Sequence, residues 1–138
     1  MTVLATRHGR GPTPVRDIAA AQGLSQSYLE QLLAPLRRAG LVRSVRGPEG
    51  GYHLASEPDA ITVGDILRVL EGPLGPVECV DADAETCARE GACAARRVWI
   101  MVRDSVNEVV DSITLADLLS GDGPGEGTPA NGAEEKIV

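Results

Sequence analysis

Two short helical stripes meet at a single glycine turn, and a glycine-rich hairpin pattern follows them directly; few folds accommodate that order. Thr13 can cap the first helix with Pro14 at its first position, where a missing N–H costs nothing. Val15, Ile18 and Ala19 then fall at helical spacing, and the stripe stops at Gln22-Gly23. Ser25 is a good cap for a second helix, along which Tyr28, Leu29, Leu32, Leu33 and Leu36 form the apolar stripe. Two helices joined by a Gly-containing turn are the sequence form of helix-turn-helix. Pro35 should kink or restart the second helix, because its ring removes one backbone hydrogen bond. Beyond Gly40, Leu41-Val-Arg-Ser-Val-Arg46 alternates like a strand and Tyr52-His-Leu-Ala55 returns as another. Gly47-Pro-Glu-Gly-Gly51 between them has three glycines in five positions, more than a plain hairpin requires. The pattern predicts a winged helix-turn-helix: mostly α, with a small β-hairpin wing.

The flanks extend this unit on both sides. Residues 2–8 have helical composition and read as the last turns of a helix whose beginning is missing, before Gly9-Arg-Gly-Pro12 breaks the chain. Thr62 with Asp65 forms a capping-box-like pair that opens a helix carrying Val63, Ile66, Leu67 and Leu70. From Ala94 to Ile113 a long helix is predicted, with Trp99, Val102, Val106, Val109, Val110 and Ile113 on one face. Spacings alternating between three and four along Trp99, Val102, Val106, Val109 and Ile113 make a heptad seam. A long helix after a complete small domain has little else to bury that seam against, so a homodimer is expected. Thr114 should cap a short last helix through Leu119. The expected division is a DNA-binding unit over 1–76, a cysteine loop over 77–93, a dimerisation helix and terminal helix over 94–120, and a disordered tail over 121–138.

Charge at first argues against nucleic acid, since the chain carries a net −7. The sign is unevenly distributed. Residues 1–55 contain seven arginines (Arg7, Arg10, Arg16, Arg37, Arg38, Arg43, Arg46) against three acids, whereas the remainder holds six bases against seventeen acids. Phosphate attraction depends on the local field within a Debye length, so the basic first half can bind DNA. No apolar run reaches the roughly 18 residues of a bilayer span. The first eight residues are too short and polar for a signal peptide, and a cytoplasmic protein is expected. Catalysis finds no support: there is no nucleophile–base pair, and Gly47–Gly51 lacks the Lys-Ser/Thr of a phosphate loop.

All three cysteines, Cys79, Cys87 and Cys93, sit in one polar segment, separated by seven and five residues. In a reducing compartment such thiols are metal ligands or redox groups rather than structural disulfides. Thiolates favour soft metals: an iron–sulfur cluster, zinc or Cu(I). The spacing is not the CxxC of a structural zinc site, while a thiol–disulfide switch needs no metal at all. Three sulfurs leave a fourth position to Asp81, Asp83, Glu85, Glu90, a contribution of His8 from a second subunit, or an outside group. The long helix begins just after Cys93, so its free N–H groups favour an anionic ligand set there.

Several stretches together carry a family likeness: Ser25-Gln-Ser-Tyr-Leu-Glu-Gln-Leu-Leu33, Leu36-Arg-Arg-Ala-Gly-Leu-Val42, Val45-Arg-Gly-Pro-Glu-Gly-Gly-Tyr52, Ile61-Thr-Val-Gly-Asp65, the cysteines, Trp99 and Thr114-Leu-Ala-Asp-Leu118. They resemble the IscR/NsrR family of bacterial transcription regulators over residues 13 to 119. The resemblance implies a homodimeric winged-helix regulator whose long C-terminal helices cross and whose loop before that helix holds an iron–sulfur cluster, with [2Fe-2S] the expected form. It implies metal ligation by Cys79, Cys87 and Cys93. It also implies that Ser25, Ser27, Tyr28, Glu30 and Gln31 face the major groove while Arg46 and Gly47 reach the minor groove, roles their donors, acceptors and charge can fill. One position departs from the IscR pattern: Arg96 stands where that type places a histidine ligand. The resulting expectation is a repressor of transcription on double-stranded operator DNA, gated by cluster supply, redox state or nitric oxide. The alternatives are a zinc-bound or thiol-switched winged helix, or a metal-bound protein-interaction module.

Overall fold

The computed structural model describes residues 1–81, 89 and 91–121. Helices α1 (Thr2–Thr6), α2 (Val15–Gln22) and α3 (Gln26–Arg38) lead into the antiparallel strands β1 (Val42–Val45) and β2 (Gly51–Leu54). Helices α4 (Val63–Glu71), α5 (Ala94–Ser112) and α6 (Leu115–Ser120) follow, with 3-10 turns at Pro58–Ala60 and Glu78–Val80. The fold is mostly helical with one two-stranded hairpin, as the sequence predicts. The tail beyond Gly121 lies outside the described residues.

The core is aliphatic because the chain has almost no aromatics to place there. Leu29, Leu33 and Leu36 of α3 meet Ile18 and Ala19 of α2, Leu4 and Ala5 of α1, and Val42 and Leu54 of the wing, all buried. Tyr28 does not join them; at 50% exposure it leaves the apolar stripe assigned to it and faces outward. The turn at Gly23 adopts φ 64°, a left-handed conformation that suits glycine and ends α2. Ser25 caps α3 as expected, its Oγ accepting from the Tyr28 amide at 3.2 Å.

Three local expectations are corrected. Thr13 does not cap α2: the cap residue is Pro14, with no side-chain cap bond. Thr13 is buried and pairs instead with Tyr52, each amide donating to the other's carbonyl at 2.8 Å. A one-residue third strand thus joins the start of α2 to the base of the wing, and α2 gives up a cap for it. Pro35 does not interrupt α3, which runs on to Arg38. It stands in the last turns, where one absent N–H is a small loss, and the end is held by Ala39 N–H to the Pro35 carbonyl and Leu41 N–H to the Leu36 carbonyl, both 3.0 Å. The wing strands are also shorter than the alternation suggested, pairing only Val42 with Leu54 through Val45 with Gly51.

Thr62 and Thr114 both form full capping boxes, with Asp65 and Asp117. The two caps lie back to back: Val63 N–H donates to the Ile113 carbonyl at 2.8 Å and Leu115 N–H to the Ile61 carbonyl at 2.9 Å. Ile61 and Leu115 are fully buried beneath this bridge. The C-terminal end of α5 is therefore fastened to the start of α4.

Candidate functional site

The outward face of α3 and the wing tip hold every residue proposed for DNA contact. Ser25, Ser27, Tyr28, Glu30, Gln31, Arg46 and Gly47 are all exposed, while Leu29, Leu33 and Leu36 anchor the opposite face of the same helix. Burial on one side forces the polar set onto the other, since helix faces repeat every 3.6 residues. Ser25 has a second duty as the α3 cap. At the wing, Gly47 sits at φ 111° and its carbonyl accepts from Gly50 N–H at 3.0 Å, a tight tip open to close backbone approach. His53 of the wing is half-buried, with Nδ1 2.9 Å from the Leu54 carbonyl oxygen.

The two described cysteines sit beside and at the start of α5. Cys79 is half-buried in the 3-10 turn Glu78–Val80, and Cys93 is the exposed N-cap residue of α5. Both are free thiols. Cys87, with Asp83, Glu85 and Glu90, lies outside the described residues. Among the described residues no group of three metal-ligating side chains converges. Asp81 is notable: its Oδ1 is buried with no hydrogen-bond partner among the described residues. A Cβ on Gly75 would stand 2.2 Å from that oxygen, so the glycine makes room for it. Asp81 lines a cleft of about 560 Å³ together with Gly75, Arg68 and Arg103. His8 Nε2 lies 3.1 Å from a Glu57 carboxylate oxygen.

Polar contacts that the sequence reading passed over fix α5 in place. Arg68 of α4 grips Asp111 with two bonds of 2.7 and 2.8 Å and also donates to the Asn107 side chain. Arg103 donates to the Val80 carbonyl, tying α5 to the turn that carries Cys79. The hydrogen bond from Arg68 holds the Asp111 carboxyl below its ordinary pKa and raises that of the guanidinium. The signal was present, since Arg103, Asn107 and Asp111 recur at four-residue spacing on one helix face.

A family-wide sequence profile, Rrf2, described as iron-dependent transcriptional regulator, matches residues 1–121. The chain belongs to the Rrf2 family. Among individual Rrf2 relatives it is 57% identical over 120 residues to the HTH-type transcriptional regulator CymR of Bacillus subtilis, covering 87% of this chain and 81% of that protein. It is 38% identical over 119 residues to the HTH-type transcriptional regulator IscR of Aliivibrio salmonicida, covering 86% and 70%. The crystal structure of CymR, the global cysteine regulator of B. subtilis, superposes with a TM-score of 0.69, covering 87% of each chain. T. potens IscR, at 47% identity, gives 0.69 over 95% of this chain and 84% of the other. This Rrf2 chain is accordingly a helix-turn-helix transcription regulator and not an enzyme. No helix among the described residues is long and apolar enough to cross a membrane.

Proposed function

We propose that this regulator is a cytoplasmic homodimer whose hold on operator DNA, as a repressor, is set by an iron–sulfur cluster bound through Cys79, Cys87 and Cys93. Residues 1–76 read the DNA, 77–93 carry the ligands and 94–120 join the subunits. The donor chemistry suits the cluster: free thiols at Cys79 and Cys93, and an unsatisfied buried carboxylate oxygen at Asp81 only two residues from Cys79. A buried carboxylate oxygen with no partner among the described residues calls for a cation or a donor, so Asp81 is the chain's own candidate for the fourth position. When bound, such a cluster supplies a group that responds to redox state and to nitric oxide.

The observation that carries the reading is the placement of α5. Its first residue follows Cys93, its middle is tied by Arg103 to the Cys79 turn, and its end is fastened through the Thr62–Thr114 bridge to the DNA-binding unit. A rearrangement of the thiol segment acts on a rigid lever whose far end carries the recognition helices. In a dimer, half-sites about one helical turn apart make affinity sensitive to a small pivot. The test is a visible spectrum of anaerobically purified protein, followed by gel-shift titrations of cluster-loaded and apo protein on one promoter fragment. Sulfur-to-iron absorption and different affinities are expected; identical binding curves would remove the gating.

A second reading is favoured by the likeness to CymR, whose B. subtilis structure is named for cysteine regulation and whose Staphylococcus aureus form, 42% identical with a TM-score of 0.66, was also crystallised oxidised. In that reading the thiols switch by themselves. A colourless protein whose DNA affinity responds to oxidant, and loses that response in Cys93→Ser, would select it.

A further inference from the structure

The geometry points to a built seat for one phosphate of the DNA backbone in the cleft between the start of α2 and the wing, with Arg16 and Arg37 as its cations. This rests on the DNA-binding reading and extends it to residues that the recognition face does not include. The cleft measures about 440 Å³, and three arginines from separate parts of the chain line it: Arg16 of α2, Arg37 of α3 and Arg46, the residue after β1. No aspartate or glutamate lines it. A concavity with converging positive charge and no acceptor carboxylate suits an oxyanion and suits a base edge poorly, because bases present donors as well as acceptors.

Three features make it a seat rather than a loose cluster. Arg37 Nη1 donates to Ser44 Oγ at 3.4 Å, which aims the guanidinium across the cleft towards the wing and leaves its remaining N–H groups for a ligand. Neither Arg37 nor Arg46 has an acidic partner among the described residues, and Arg16 has only Asp17 at 3.5 Å, an exposed and therefore weak pair. The walls are also fixed. The Thr13–Tyr52 bridge and the close approach of Gly51 to the Thr13 carbonyl hold the wing against α2, so little ordering is needed on binding. The cleft adjoins Arg46, assigned above to the minor groove, so a duplex seated on α3 brings a backbone phosphate beside it.

Such a contact positions the duplex without reading sequence. The test uses the full chain with two duplexes of equal length, one selected from a random pool by the wild type and one unrelated, titrated by fluorescence anisotropy at several KCl concentrations. Arg16→Gln and Arg37→Gln combined should lower the slope of log affinity against log salt by about 0.9, the share of one phosphate, and each alone should lower it by part of that. Each should also weaken both duplexes by the same factor, and the wild-type advantage over the double variant should shrink about 3-fold between 50 and 200 mM salt. Arg37→Lys should retain the slope, and circular dichroism melts of all variants should match the wild type. Unchanged slopes, or losses confined to the selected duplex, overturn the seat. So does specific displacement of DNA by inorganic phosphate beyond matched ionic strength, which would make the cleft a free-anion site. A wild type that binds neither duplex removes the DNA-binding reading itself.

Discussion

Gly51 and Thr13 show how much one close approach can decide. A Cβ at residue 51 would stand 2.1 Å from the Thr13 carbonyl oxygen, and that oxygen belongs to backbone, which cannot swing aside. Gly51→Ala must therefore break the Thr13–Tyr52 bridge and its two 2.8 Å hydrogen bonds. The expected loss is about 2 to 3 kcal/mol by chemical denaturation, from two bonds at about 1 kcal/mol each and the overpacking. An unchanged denaturation midpoint would contradict the close approach. Glycine at this place was legible as a loop residue, but its reason was not. Thr13 is a good N-cap by composition, and only its pairing with a residue far along the chain diverts it.

At the scale of elements, the junction of α4 with α5 is polar rather than apolar, centred on Arg68 and Asp111. Gly64 permits it: a Cβ there would lie 2.0 Å from Asp111 Oδ1. Because the folded Asp111 pKa lies below its ordinary value, near 3.9 for a free side chain, the pair's stabilisation is present above that value. It is lost as pH falls through the lowered folded value. The two side chains are 36% and 47% exposed, so solvent limits the contribution to about 1 kcal/mol or less. Melting temperatures of wild type and Asp111→Asn should differ at pH 7, and the gap should narrow as pH falls below about 4 and through the lowered folded value; a gap that does not narrow in acid would assign the effect to another cause. The capping boxes at Thr62 and Thr114 were readable from local spacing because each is closed within four residues. The bridge that joins them was not, since it unites segments distant in sequence.

For the whole molecule, the long helix poses the main question. No residue of α5 is buried, and Trp99, Val102, Val106 and Val109 remain 37 to 54% exposed along the heptad seam. The face that α5 turns to its own chain carries the half-buried Ile100 and Val110 together with Arg103 and Asn107 and the Arg68–Asp111 pair. An apolar seam left open while another face does the internal packing is what a partner helix would cover. Val106→Glu places a charge in the middle of that seam, so sedimentation should show a dimer for the wild type and a monomer for the variant. A wild-type monomer at micromolar concentration, or a variant that stays dimeric, would deny the seam this role.

Local chemistry determined the elements. Caps, glycine turns and the 3.6-residue repeat of leucines along α3 were enough to specify helices and wing, because each signal acts within one or two turns of chain; the outward set Ser25, Ser27, Glu30 and Gln31 came from the family resemblance. Tertiary structure alone decided Thr13's diversion into the wing, the Asp81 oxygen left without a partner among the described residues, and the cleft that gathers Arg16, Arg37 and Arg46. Those depend on contacts between residues that only folding brings together, where burial and backbone pairing outweigh local preference.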